Sequence, residues 1–428
     1  MRLHFYHLTI ALLLAAIPGR AQQLLLKPDK ANGVYQLGET VHWVATWTND
    51  SPAPSASYFL YRGGPTNVGH GDLKFYNNVA RLDSKIDAPS TLLLAVNWST
   101  PDGKGSRVTA GVVAAPDQIT LSAPRPADFD AFWTAKLKEL ELVPPNPKLE
   151  PGESGNTNVA YWKISMDNLR GSHIQGQLAR PATGKKLPAI LLLQRVGLYP
   201  LQTNWVVNRA AEGWLALNIL AHDLPIDQPR SFYDKHVQSD LKNYWTIGND
   251  DRETSYFLRM YLSCYRAAQY LSERPDWDGQ TLVVTGENQG GQQTLVTAAL
   301  FPKITAAMAL VPAGCDMLGP EAGRKGGWPQ WYANTAGKDA QRVREASRYY
   351  DTANFASMIK CPILIGLGLR DETCPPAGIF AAINQITAPK EVVILPTSEH
   401  QDSRGTQAAY RQRHDEVWLK RRPANPEK

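Results

Sequence analysis

The sequence predicts an α/β protein built on a doubly wound, mostly parallel sheet, preceded by a small all-β module. Three observations carry this. Beyond about residue 180, short and nearly continuous apolar runs alternate with segments of helical period, as in parallel strands covered on both faces. One of these runs, Leu282-Val283-Val284, leads into Thr285-Gly286-Glu287-Asn288-Gln289-Gly290-Gly291, a glycine-rich turn from strand to helix. The N-terminal part shows only short strand-like runs separated by Gly, Pro, Asn and Asp clusters.

The bulk properties fit two ordinary globular units. The chain has 428 residues, with 43% hydrophobic and 20% charged residues. Its net charge is +5, and removing Arg2 and Arg20 with the first 21 residues, which hold no acid, leaves +3. No long basic run is present, and Lys420-Arg421-Arg422 reads as a solvated helix end, so no nucleic-acid partner is expected.

Residues 1–21 read as a signal peptide. Arg2 supplies the charged start, Leu8 to Ile17 the apolar core, and Gly19-Arg20-Ala21 the region of cleavage. That core is too short for a stable anchor, no cysteine follows it, and no later run approaches the roughly 18 apolar residues of a spanning helix. The expectation is a secreted or periplasmic protein without a membrane anchor. Export permits disulfides. Cys264, Cys315, Cys361 and Cys374 allow three full pairings, among which spacing does not choose, although Cys361 and Cys374 flank a whole strand and make a poor pair. The sequence has no Cys-x-x-Cys and no close His–Cys cluster, so no metal site is expected.

Residues 22–118 read as an immunoglobulin-like sandwich. Val41 to Trp47, Ser57 to Arg62, Leu92 to Trp98 and Ser106 to Val113 are its clearest strands, out of about seven. It could contact carbohydrate or serve as a spacer packed on the next unit. Ala114-Ala115-Pro116-Asp117 is the linker, residues 119–420 form the α/β domain, and 421–428 form a polar, disordered tail. The second unit opens with a helix capped by Asp128 that carries Phe129, Phe132, Trp133 and Leu137 on one face. A hairpin follows, Val159 to Met166 with Gly171 to Leu178. Strands are then expected at Leu187–Leu193, Trp214–Leu220, Thr281–Thr285, Ile304–Val311, Cys361–Gly368 and Glu391–Pro396. Between them, Thr254 to Arg274 repeats apolar residues at helical steps and Gln292 to Leu300 follows the glycine turn.

The chemistry gathers at strand ends. Asp371 lies just past the Cys361 strand, and His400 lies in a loop past the last strand. In an open α/β sheet these ends share the edge where ligands bind. The chain order of elbow, acid and histidine is that of α/β-hydrolases. There His400 would move the proton, Asp371 would fix its tautomer, and the Gln289 N–H would be one oxyanion donor. A second donor would come from Gln194-Arg195-Val196-Gly197-Leu198-Tyr199.

From about Pro126 the chain resembles the acetyl xylan esterase and cephalosporin-C deacetylase family of α/β-hydrolases. The resemblance rests on Asp128-Phe129-Asp130-Ala131-Phe132-Trp133, on Gln289-Gly290-Gly291, on Asp371 with Cys374-Pro375-Pro376, on Phe380-Ala381-Ala382 and on Pro389-Lys390-Glu391. It implies deacetylation of acetylated xylo-oligosaccharides or similar small esters without metal or organic cofactor. Two departures stand out. Gln194-Arg195 replaces the family's His-Gly, making Arg195 either an anion-binding group or a surface charge. Asn288 replaces the nucleophilic serine. An amide offers no proton for His400 to remove, and losing such a serine costs about 10⁶ in kcat in subtilisin.

Around this site Trp328 and Trp331, in an insertion after the strand leading to Cys315, could stack on sugar rings or form an apolar lid. His222-Asp223 could line the pocket or make loop hydrogen bonds. A phosphate-binding reading of Gly286 to Gly291 is weaker than the readings that follow, because Gln292-Gln293 stands where the Walker pattern needs Lys-Ser/Thr. The functional readings are an exported esterase relative with impaired or altered serine chemistry, a non-catalytic carbohydrate-binding or scaffold protein, and a hydrolase whose Asn288 has become an aspartate nucleophile. Homo-oligomerisation is left open.

Overall fold

The computed structural model describes residues 24–99, 103 and 105–420. The predicted signal peptide, residues 1–21, and the predicted tail, 421–428, lie outside the described residues.

Among the described residues the N-terminal unit holds eight strands: β1 (Leu24–Pro28), β2 (Val34–Tyr35), β3 (Thr40–Trp47), β4 (Ala56–Arg62), β5 (Thr66–Leu73), β6 (Val79–Lys85), β7 (Ser90–Ser99) and β8 (Gly105–Ala114). They form one sheet of order β1-β3-β6 and a second of order β2-β8-β7-β4-β5. Alternation explains β3, whose Val41, Trp43, Ala45 and Trp47 point into a shared core with Leu60, Leu94, Val96 and Val112. The Trp47 and Trp98 rings meet edge-on there at 6.2 Å. β7 breaks the alternation and is buried from Ser90 to Val96. Its second face is covered by the C-terminal unit, where Gly111 of the neighbouring β8 backs onto Leu369.

The C-terminal unit opens with α1 (Phe129–Glu141) and three antiparallel strands, β9 (Lys148–Gly152), β10 (Val159–Asp167) and β11 (His173–Pro181). Then follow β12 (Leu187–Leu193), α2 (Asn204–Ala211), β13 (Leu215–Ile219), α3 (Arg230–Gln238), α4 (Tyr256–Glu273), β14 (Trp277–Glu287) and α5 (Gln289–Leu300). Next come β15 (Ala306–Leu310), α6 (Ala340–Ser347), α7 (Thr352–Ala356), β16 (Ile363–Gly368), α8 (Pro376–Ile383), β17 (Lys390–Leu395) and α9 (Ala408–Gln412), which runs into a π-helical turn at Arg413–Trp418. The nine-stranded sheet has the order β17-β16-β15-β14-β12-β13-β11-β10-β9, parallel from β17 to β13 and antiparallel beyond. Helices α4, α5 and α8 cover one face, and α2 and α9 the other. After β12 the chain builds β13 on one side and later β14 on the other. The order reverses there, which opens a crevice beyond the strand ends.

Two expectations change. Asp128 precedes α1 but does not cap it. Its carboxylate instead accepts from Arg252 Nη1 at 2.7 Å and from the Tyr349 hydroxyl, because a charged guanidinium offers a stronger partner than a helix N–H. All four cysteines are buried free thiols. Among the described residues no helix is long and apolar enough to cross a membrane.

Candidate active site

The turn between β14 and α5 holds Asn288 at φ 56° and ψ −115°. A left-handed φ at a non-glycine residue costs about 1–3 kcal/mol and persists only where the surroundings enforce it. Here the Asn288 N–H donates to Leu310 O at 3.0 Å, and its carbonyl accepts from Gln292 N at 2.9 Å and Ala313 N at 3.0 Å. The helix sits close enough to the sheet that a Cβ on Gly290 would lie 2.4 Å from Leu193 O, which explains that glycine. Every α5 residue except Ala299 is buried, and its polar side chains are bonded internally, as in Gln292 Nε2 to the Tyr261 hydroxyl at 2.6 Å and Thr297 Oγ1 to Gln293 O at 2.6 Å.

The loops after β16 and β17 bring Asp371 and His400 to this turn. His400 Nδ1 lies 2.8 Å from Asp371 Oδ2, and His400 Nε2 lies 2.9 Å from Asn288 Nδ2. The other carboxylate oxygen, Asp371 Oδ1, accepts from Thr373 N and Cys374 N, both at 2.8 Å. An ionised carboxylate only accepts, so Nδ1 carries the imidazole proton and Nε2 accepts from the amide. The other amide hydrogen points to Cys374 Sγ at 3.5 Å, and Asn288 Oδ1 is buried without a partner.

The sequence showed no His–Cys cluster, yet the fold gathers one. Ligand atoms of Asp371, Cys374 and His400 all lie within 4.8 Å of one another. No local spacing signals this, because Cys374 and His400 come from different loops. Burial raises the Cys374 thiol well above its ordinary range, with Asp371 adding to the effect, so it stands beside the imidazole as a neutral thiol.

Gln289 begins α5, so its backbone N–H belongs to the unpaired first turn. Its buried side chain accepts from the Tyr244 hydroxyl, a residue that sequence reading missed. Arg195 is neither a free anion-binding group nor a bare surface charge. Its guanidinium bonds Gln401 Oε1 at 3.0 Å and pairs with Glu287 at 3.3 Å, tying the loop after His400 to the residue before Asn288. Trp331 does not face a ligand: it is 0% exposed, donates to Trp245 O at 2.6 Å, and packs on Phe257 and Tyr350. The insertion is folded inward at Trp331, so this indole joins the core. Trp328 is half-buried against Trp245, and its N–H bonds Thr373 O at 3.0 Å in the acid loop. His222 is 1% exposed, bonds the Tyr256 hydroxyl and Gly197 O, and is pushed down to about 3 by burial, while Asp223 accepts from His173 N. That pair therefore orders loops.

The acid loop is braced by the N-terminal unit. Arg370 donates to Thr109 Oγ1 of β8 at 2.9 Å, to Thr397 O at 3.1 Å, and to Glu399 beside His400. Arg107 of β8 bonds Glu372 at 2.8 Å. A Cβ on Gly111 would lie 2.0 Å from Leu369 O.

Comparisons with known proteins agree with this architecture. The sequence profile described as "Acetyl xylan esterase (AXE1)" matches residues 119–419. The acetyl esterase Axe7A of Xylanibacter ruminicola is 34% identical over 292 residues, spanning 67% of this chain and 66% of that protein. Two solved structures share the α/β-hydrolase fold. An acetyl xylan esterase from Paenibacillus sp. R4 has 23% identity and a TM-score of 0.60, and acetyl xylan esterase 1 from Thermoanaerobacterium sp. JW/SL YS485 has 22% and 0.57. Each match covers 69% of this chain and 96% of the other.

Proposed function

The chain belongs to the acetyl xylan esterase family, and from that premise we propose that it is an exported α/β-hydrolase that recognises acetylated oligosaccharides or similar small acetyl esters without turning them over through an acyl-serine. The observation that carries this is Asn288, an amide at the elbow position whose Nδ2 lies 2.9 Å from His400 Nε2. A serine there would give up its proton to that nitrogen and attack the acetyl carbonyl. The amide instead donates to the base and has no nucleophilic oxygen to offer.

The remaining parts support recognition. The first N–H groups of α5 suit an acetyl oxygen, and Asn288 Oδ1 is a buried acceptor without a partner. The apolar leader from Leu8 to Ile17 supports export. We read the N-terminal sandwich as an immunoglobulin-like brace for the acid and histidine loops, supported by the bonds from Arg370 and Arg107.

The test compares wild type with Asn288→Ser on p-nitrophenyl acetate and acetylated xylo-oligosaccharides. The serine variant should gain at least about 10³-fold in kcat, and adding His400→Ala should abolish the gain. Equal rates for wild type and Asn288→Ser would overturn the reading.

A further inference from the structure

Between α2 and α9, on the sheet face away from α5, lies a cavity of about 490 Å³. That volume falls within the roughly 300–1,000 Å³ of small-ligand sites. It backs onto the strand end that leads to Asn288, and Glu287 and Arg195 stand in its wall. We propose that this cavity is a second binding site for a neutral pyranose sugar, distinct from the elbow site.

Its chemistry selects the ligand class. Tyr410 is 3% exposed, and its hydroxyl has no hydrogen-bond partner. Leaving a buried hydroxyl unpaired is costly, so a ligand group or water should meet it. Glu287 Oε1 touches Arg195 at 3.3 Å but makes no hydrogen bond. Both atoms lie just behind the cavity surface with almost no accessible area, so a ligand meets them as the Tyr410 and Glu287 side chains turn toward it. It must then donate to the carboxylate and exchange a hydrogen bond with the phenol, as sugar hydroxyls do.

The wall has no spare cation for an anionic ligand. Arg195 pairs with Glu287, Arg209 with Glu212 at 2.8 Å and Asp415 at 3.0 Å, and Arg411 with Asp402 at 3.1 Å. The His414 ring is likewise engaged, with Nε2 2.9 Å from Thr285 Oγ1 and Nδ1 2.9 Å from Asp415. The Trp205 indole, 38% exposed on α2, offers the apolar surface on which a pyranose face can lie. Asn204 and Asn208 add amide donors and acceptors. An unacetylated sugar needs neither Asn288 nor His400 to bind here, so the inference stands apart from the reading of the elbow.

Calorimetry with methyl β-xyloside on the full chain tests it. Wild type should bind one equivalent with a roughly millimolar Kd. Trp205→Ala should weaken binding about tenfold, and Tyr410→Phe about fivefold, the loss of one hydrogen bond. Both variants should fold, because Trp205 is surface-exposed and phenylalanine keeps the ring that lies over Gly366; unchanged melting checks this. His400→Ala should bind like wild type. No binding by wild type, variants that bind like wild type, or loss of binding in His400→Ala alone would each overturn the proposal.

Discussion

The Asn288 amide nitrogen lies 2.9 Å from His400 Nε2, so the lone pair with which an imidazole base would draw a proton is already filled. The Asp371–His400 pair behind it is complete, and Asp371 Oδ1 is held by two backbone N–H groups. The site has an oriented base and no proton donor of the right kind in front of it.

Asn288→Ala removes that donor and leaves Nε2 facing a small cavity. Stability should fall by about 1 kcal/mol relative to Asn288→Ser, which retains a hydroxyl partner. Urea denaturation of the two variants at one pH measures the difference.

Arg370 spans three elements around the acid and histidine loops. In an Asn288→Ser background, Arg370→Gln should lower kcat by between about tenfold and a hundredfold while KM changes little, since a misplaced base harms the chemical step more than binding. A change confined to KM would argue against a positioning role.

Gly111→Ala would drive a methyl group into Leu369 O, where only 2.0 Å is available. A cost of about 1–3 kcal/mol is expected in thermal unfolding. In the serine background kcat should drop as well, because Leu369 lies two residues before Asp371.

Trp331 carries stability rather than recognition. Trp331→Ala empties a fully buried position and should cost about 3–5 kcal/mol. Trp331→Phe should cost less and leave the affinity for acetylated xylo-oligosaccharides unchanged in a titration.

Burial, with Asp316 beside it, pushes the Asp351 carboxyl up to about 7 from an ordinary 3.8. A carboxyl raised on folding holds its proton more tightly in the folded chain. Its contribution is present below the unfolded value and is lost as pH climbs through 7. The stability that Asp351 contributes should therefore decline between about pH 4 and pH 7, read as the difference in melting temperature between wild type and Asp351→Asn across that range.

The apolar runs of the parallel sheet were legible in the sequence because its central strands are covered on both faces. Leu187–Leu193 forms as predicted, and the other strands lie within a few residues of their runs. β9 was invisible for the converse reason: Lys148–Gly152 is exposed throughout and has no apolar period. Strand order and chain order sufficed to bring residues 288, 371 and 400 to one edge. The surroundings of that edge were not readable. Trp328 and Trp331 look alike in the sequence, and only packing separates a half-buried indole from a core one. The Arg370–Thr109 bond joins residues 261 positions apart, and no local pattern announces such a contact.

The left-handed backbone at residue 288 also bears on descent. Asparagine and serine codons can differ by one base, and the main chain that presents residue 288 is set by Leu310, Gln292 and Ala313 rather than by its own side chain. A serine at this position would therefore meet a scaffold already shaped for it. The chain lies one base change from that serine, beside an acid and a histidine already oriented toward it.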